Sequence, residues 1–347
     1  MTPTCPIPDR ITDRIELAHG SGGSMTSRLI ERIFRPRFGN SLLDRGLDSA
    51  ILPPSGERMA FTTDTFVVSP LFFPGGNIGD LAVNGTVNDL LSVGATPRYI
   101  SVGFVIEEGL PIADLKQIAD SMAAAAREAE VEIVTGDTKV VEHGKCDGIY
   151  INTAGIGILP PSLDLDPDNI RPDDVIIITG PRASHGMAVM SQREQLGFSS
   201  AIESDTASLG DIVHALLSVA PGLRVLRDPT RGGLAGTLCE FAAASGVNIE
   251  IVEDAIPINS RVSSACELLG LDPLHVANEG IMVAVVPPAE AEAALAAVRR
   301  SAHGADGAII GKACAPDPEG GRVWLRLPLG NRRLIEPLAG DQLPRIC

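Results

Sequence analysis

The sequence predicts two domains of mixed α/β (α+β) architecture. Three observations carry that expectation. The chain has 347 residues, a length that corresponds to about two domains. Strand-like and helix-like segments alternate in both halves. An Asp- and Pro-rich stretch, Ser162–Asp174 (SLDLDPDNIRPDD), has the composition of a linker between them. The expected boundaries are an N-terminal extension at 1–14, a first domain at 15–165, a second at 170–332 and a tail at 333–347.

In the first domain a glycine-rich segment, Ala18–Ser24 (AHGSGGS), precedes a helix-like stretch, MTSRLIERIF. Runs rich in β-branched and aromatic residues predict strands at Met59–Val68, Arg98–Ile106, Val131–Thr135 and Tyr150–Leu159. The segment around VNDLL reads as a helix. Ala113–Glu130 sets Leu115, Ile118, Met122 and Ala126 on one helical face. In the second domain strands are expected at Val175–Thr179, Val247–Val252, Ile281–Val286 and Arg322–Leu327. A helix-like LAGTLCEFAAA follows Arg227–Gly233 (RDPTRGG). Pro288–Arg300 opens on Pro and Glu and closes on two Arg, as the helix dipole favours. A polar, basic tail follows.

Composition narrows the partners. Net charge is −16 with no Lys/Arg run to offset it, which argues against nucleic acid and anionic membranes. Aromatics are 3%, too few for stacking on bases or sugars to be the main binding mode. No apolar run approaches the roughly 18 residues of a membrane span, and Met1–Arg14 lacks a signal-peptide core. The six cysteines form no C-x-x-C pair and no Cys/His cluster with zinc spacing. A cytoplasmic protein with reduced thiols is therefore expected. Cys239 and Cys266 fall in helix-like apolar settings and read as core residues. His143 and His185 read as structural or exposed.

The chain ends Pro344-Arg345-Ile346-Cys347. A thiol on the last residue can leave one site and enter another, and an extended tail from Arg333 could span about 45–50 Å. An unpaired thiol on a frayed end is the plain alternative. Four aspartates sit near element ends: Asp48 in GLDSA, Asp64 in FTTD, Asp89 in VNDLL and Asp137 in VTGDTK. Gathered carboxylates need cations among them, and Mg²⁺ takes a few carboxylates plus phosphate oxygens and water. Singly, each could be an ordinary turn or cap residue. Gly20, Gly22 and Gly23 could present backbone N–H groups to phosphate at a helix start, or form a hinge. Asp228 or Thr230 could cap the helix after RDPTRGG, and Arg231 with the Gly–Gly amides could hold an anion. Lys139 and Glu279 become proton-handling candidates if both face one pocket.

Together AHGSGG, LDSA, FTTDTFVV, NGTVNDLLSVGA, VTGDTKVV, RDPTRGGLAGTL, ANEG and the terminal PRIC resemble the HypE family of carbamoyl dehydratases from hydrogenase maturation. That family lies within the aminoimidazole ribonucleotide synthetase superfamily, alongside selenophosphate synthetase and thiamine-monophosphate kinase. The resemblance runs from Ile15 to Cys347. TTD, ND and TGDT are superfamily marks, and PRIC points to HypE. It implies a homodimer whose N-terminal sheets form a barrel, a C-terminal α/β sandwich and a flexible tail. It implies ATP in a cleft, with Mg²⁺ held by Asp48, Asp64, Asp89 and Asp137. Lys139 and Glu279 would handle protons, and Asp228, Thr230 and Arg231 would lie near substrate or phosphates. The implied reaction is ATP-dependent dehydration of a carbamoyl group on Cys347 to a thiocyanate, the cyanide source for [NiFe]-hydrogenase iron. The implied partners are the carbamoyltransferase HypF and an iron-carrying HypC–HypD complex. A small-molecule phosphotransferase of the same fold and a non-catalytic thiol-carrier scaffold are the alternatives.

Overall fold

The computed structural model describes residues 14–16, 29–40, 56, 58–198, 201–316, 318, 320–337, 343 and 345–347. Asp48, Gly20, Gly22, Gly23 and nearly all of the 1–14 extension lie outside these residues.

The first half is a four-stranded sheet backed by two long helices, with a short helical stretch, Ile30–Phe34 and Arg35–Phe38, packed beside the second of them. Its strands are β1 (Arg58–Phe66), β4 (Thr96–Glu107), β5 (Glu132–Val141) and β6 (Ile149–Leu159), in the order β1-β6-β4-β5. A two-residue hairpin, β2 (Phe72–Phe73) and β3 (Gly76–Asn77), leads into α1 (Ile78–Ser92). Asn77 caps α1 through the Gly79 N–H, and Asp80 reaches back to the Asn77 N–H, closing a capping box. Nearly every residue of α1 is buried, because the sheet covers one side and the second half covers the other. Asp80, Asp89 and Ser92 are the half-buried exceptions. The second helix, α2 (Ile112–Glu128), buries Leu115, Ile118, Ala119, Met122 and Ala126 at three- and four-residue spacing. It is the crossover between the parallel pair β4 and β5.

The open face of this sheet carries Met59 and Phe61, which are 60% and 71% exposed. Large apolar side chains left open on a sheet face mark it as a surface for contact.

The second half is a seven-stranded mixed sheet in the order β13-β12-β9-β11-β7-β10-β8. Its strands are β7 (Val175–Ile178), β8 (Val225–Arg227), β9 (Asn248–Val252), β10 (Val283–Val286), β11 (Ala308–Cys314), β12 (Val323–Arg326) and β13 (Arg332–Ile335). The helices are α3 (Ser184–Arg193), α4 (Gly210–Val219), α5 (Gly233–Ser245), α6 (Ser260–Leu269) and α7 (Ala291–Arg300). Alternate strand residues enter different cores. Ile177, Ala284 and Val286 join Met187, Leu216 and Val298 in a core continuous with the first half. Ile176, Ile178, Val283 and Val285 join Leu238 and Phe241 of α5 on the other face. A sheet covered on both faces explains why VIII and VAVV are unbroken apolar runs rather than alternating ones.

Five strands were not legible in the sequence pattern. The two-residue β2 and β3 and the three-residue β8 are too short to show a period. β11 (AIIGKAC) bends at an irregularity between Ile309 and Gly311. β13 uses Arg332, Arg333 and Leu334 as an exposed edge, so its first residues look like tail. Strand β13 also crosses the expected boundary at 332. No helix among the described residues is long and apolar enough to cross a membrane.

Candidate active site

A cavity of about 760 Å³ opens between the two halves. It is walled by Thr62 and Asp64 of β1, Gly85 and Asp89 of α1, the segment after β8 and the residue pair Glu279 and Cys347. Asp64 lies inside β1 rather than after it, since the strand continues to Phe66. Pleat alternation turns Thr62 and Asp64 toward α1, where the Thr62 hydroxyl donates to Asp89 Oδ2 at 2.9 Å. Burial, then the Asp228 charge, pushes the Asp89 carboxyl up to about 7, against the Thr62 bond. Burial also raises Asp64, opposed by the Thr65 N–H and the Arg231 guanidinium.

The segment after β8 supplies Arg227, Asp228, Thr230 and Arg231. Neither Asp228 nor Thr230 caps α5. The N-cap is Gly232, at φ 78°, a left-handed conformation that suits glycine, and no side chain bonds the helix start. The Thr230 hydroxyl donates to Asp228 Oδ2 at 2.8 Å instead, which orients that carboxylate. Arg231 remains exposed at the mouth.

Glu279 is 3% exposed, and its Oε1 has no hydrogen-bond partner. Its backbone is pinned from both sides: the N–H donates to Asp205 Oδ1 at 3.2 Å and the carbonyl accepts from Asn88 Nδ2 at 3.2 Å. Gly280 follows because a Cβ there would sit 1.5 Å from the Asp205 carbonyl oxygen. Burial and then Asp228, Asp205, Asp64 and Asp89 hold the Glu279 carboxyl well above the usual carboxylate range. Burial likewise lifts Asp205 to about 6, and its Oδ2 is buried without a partner.

The chain terminus enters this cavity. The Val67 N–H donates to a terminal carboxylate oxygen of Cys347 at 3.2 Å and the Ser69 N–H to the Arg345 carbonyl at 3.3 Å. Ile346 and Leu343 are buried in the core that joins the two halves. Arg345 pairs with Asp147 and lies 5.9 Å over the Tyr150 ring. Burial and the Glu279 charge push the Cys347 thiol up to about 12, with the nearby Arg231 guanidinium opposing them. A neighbouring cavity of about 480 Å³ lies between the tail and α5 and shares Arg231, Glu240 and Cys347. Cys239 lines it half-buried, while Cys266 is a core residue.

The cavity thus gathers Cys347, Glu279, Asp64, Asp89, Asp228, Thr230 and Arg231. It does not gather Asp137 and Lys139 within one chain. Asp137 lies inside β5, in register with Gly103, Asn152 and Thr65. Asn152 bonds the hydroxyls of Thr63 and Thr65 on the open face. Asp64 shares its row with Thr153, which meets Thr86 of α1 on the opposite face. Asp137 and Asp64 are therefore on opposite faces and three strand spacings apart, about 14 Å. Lys139 Nζ pairs with Asp137 at 2.6 Å, and both are exposed. Among the described residues, no group of three or more His, Cys, Asp or Glu is placed to hold a metal ion by itself.

Sequence reasoning missed Thr62, Asn88 and Asp205. Thr62 was visible in TTD. Asn88 sits beside Asp89 in ND, but its role is to bridge Glu279 and the Leu209 N–H across the two halves. Asp205 sits in a loop (ESDTAS) with no periodicity to mark it.

The comparisons with known proteins agree with this architecture. Residues 46–159 match the family model "AIR synthase related protein, N-terminal domain", and residues 171–323 match its C-terminal domain. Carbamoyl dehydratase HypE of Bradyrhizobium diazoefficiens is 52% identical over 334 residues, covering 96% of each chain. A crystal structure of hydrogenase maturation protein HypE in complex with ATP superposes with a TM-score of 0.91 at 46% identity, covering 95% of this chain and 99% of that one. A HypE–HypF complex structure matches with a TM-score of 0.78 at 45% identity, covering 89% and 99%. With both halves matched in order and half of all residues shared along nearly the full length, the chain belongs to the HypE family of carbamoyl dehydratases.

Proposed function

We propose that this protein dehydrates a carbamoyl group carried on the Cys347 sulfur to a thiocyanate at the expense of ATP, in the maturation of [NiFe]-hydrogenase. The observation that carries the reading is the terminal thiol seated in the same cavity as Glu279, Asp64, Asp89, Asp228 and Arg231. A core cysteine could not exchange partners, whereas a thiol on a tail can be loaded outside and processed inside.

The starting group is S–C(=O)NH₂. Its oxygen is a poor leaving group, so it attacks the γ-phosphorus of ATP, releasing ADP and becoming a phosphate ester. Loss of the two nitrogen protons and departure of phosphate leave S–C≡N. Glu279 is the candidate base. Its raised carboxyl makes the ionised form a stronger base than an ordinary glutamate near neutral pH. Arg231 faces the developing phosphate charge. Water must be kept from the carbamoyl group while it reacts.

A polyanion does not enter a pocket of carboxylates unaided. On top of burial, the Asp228 charge raises the proton affinity of both Asp64 and Asp89, and Asp64 adds to the rise at Asp89; a hard divalent cation relieves that repulsion. Their oxygen donors fit Mg²⁺, with phosphate oxygens and water completing the shell. Bound there, Mg²⁺ would neutralise charge on the transferring phosphoryl group. Asp48 is proposed as a further ligand from its motif.

Asp137 and Lys139 require a second copy. We place the dimer contact on the open face and edges of the β1-β6-β4-β5 sheet, where Met59 and Phe61 are exposed. Pairing there would bring these residues of one copy toward the β1 edge of the other. Because a relative is described in complex with HypF, HypF is the proposed carbamoyl donor. The HypC–HypD complex is the proposed nitrile acceptor.

Intact mass tests the reading. Carbamoylated protein given ATP and Mg²⁺ should lose the mass of one water, and Cys347→Ala should show neither loading nor loss. No mass change would favour a carrier scaffold. ATP turnover that survives Cys347→Ala and needs an added small acceptor would favour a phosphotransferase.

A further inference from the structure

Helix α3 carries two side chains that the chemistry above does not use. His185 is fully buried, with Phe73 edge-on at 5.4 Å. Its Nδ1 lies 2.8 Å from Ser204 Oγ and its Nε2 lies 3.0 Å from the Ile346 carbonyl oxygen. The partners assign the tautomer. Ser204 Oγ accepts from the Thr206 N–H at 3.1 Å, which leaves its own proton for Nδ1. The Ile346 carbonyl can only accept, so the ring proton is on Nε2 and is donated to the tail.

Just over two turns along α3, Arg193 donates from Nη2 to the Arg345 carbonyl at 2.7 Å. The same guanidinium donates from Nε and Nη2 to the Ser69 carbonyl at 2.8 and 2.6 Å. It therefore ties the tail to the segment after β1. From that segment, the Val67 N–H holds the Cys347 terminal carboxylate and the Ser69 N–H holds the Arg345 carbonyl. Two consecutive carbonyls and the terminal carboxylate are thus each met by a donor, and the donors come from both halves of the molecule. Burial of Leu343 and Ile346 favours docking but does not fix its register. Directional bonds do, because a slipped tail would strand buried donors.

We infer that His185 and Arg193 are positioning residues that grip the docked tail by its main chain and so place the Cys347 sulfur in the cavity. The inference rests on the reading of Cys347 as the carrier.

The test uses the full-length protein in three assays: labelling of Cys347 by iodoacetamide, ATP-driven water loss from the carbamoylated protein in a single turnover, and loading by the carbamoyltransferase. His185→Leu should raise Cys347 labelling and slow water loss, the two factors multiplying to about tenfold for one lost bond, without slowing loading. His185→Gln presents an amide N–H toward the same carbonyl and should restore both. Arg193→Met, read in the same assays, should shift them in the same direction and serves if His185→Leu does not fold. Wild-type shielding and water loss in a folded His185→Leu or Arg193→Met protein would overturn the inference, as would His185→Gln behaving like His185→Leu. If wild-type protein itself loses no water, the dehydratase reading falls, while the labelling assay still decides the grip.

Discussion

A thiol pushed up to about 12 is nearly inert while it stays in the cavity, and this gives a quantitative test of docking. The perturbation is alkylation by iodoacetamide at pH 8, with a peptide of residues 337–347 as the undocked reference. Taking an ordinary thiol at 9.0, about one molecule in ten is thiolate at pH 8, against about one in ten thousand at 12. Because the thiolate is the nucleophile, docked Cys347 should react about a thousandfold more slowly than the peptide. Any faster reaction measures the fraction of time the tail spends undocked. The pH profile separates the two routes. Reaction through the undocked tail levels off above pH 9, whereas reaction in the cavity keeps rising toward about 12. Tandem mass spectrometry assigns the label to Cys347 rather than to the other cysteines. A rate within twofold of the peptide across the whole range would refute the enclosed thiol. The same arithmetic places loading outside: a carbamoyl group is accepted by a thiolate, and the docked sulfur is almost never one.

Glu279→Gln keeps both backbone bonds of residue 279 and should bind ATP within about twofold of wild type by calorimetry, while slowing water loss about 10²- to 10⁴-fold; wild-type nitrile formation would place the base elsewhere. Asp89 makes stability pH-dependent in protein without nucleotide or divalent cation. Its folded-state carboxyl is raised from 3.8 to about 7, so its contribution is fully present below pH 3.8 and is lost as pH rises through about 7. Urea unfolding at pH 5 and pH 8 should therefore show a steeper decline for wild type than for Asp89→Asn, and equal slopes would contradict the burial argument. Asp137→Asn should weaken Mg-ATP binding in the dimer; unchanged affinity by calorimetry would remove that residue from the site.

Much of the frame was legible because burial follows periodicity. Leu115, Ile118 and Met122 mark α2 from their spacing alone, and β1, β4 and β6 announce themselves by β-branched runs. The misreadings share a physical origin. Asp64 and Asp137 were set near element ends, although the expected Met59–Val68 strand already contained Asp64; both lie in mid-strand, one lining a cavity and the other an open face. Asp228 and Thr230 looked like caps, but each satisfies the other and leaves the helix start to Gly232. The separation of Asp137 from Asp64 is a matter of pleat parity across three strands, which no single segment encodes. Asp205 and the tail contacts of His185 depend on residues far apart in the chain, so local pattern carries no trace of them.

The clamp holds the tail through two peptide carbonyls and the terminal carboxylate, and those groups are identical whether the sulfur bears hydrogen, carbamoyl or nitrile. Such a clamp is blind to cargo. It therefore cannot eject the finished product by losing affinity for it, and turnover must draw its direction from whatever waits outside to take the nitrile away.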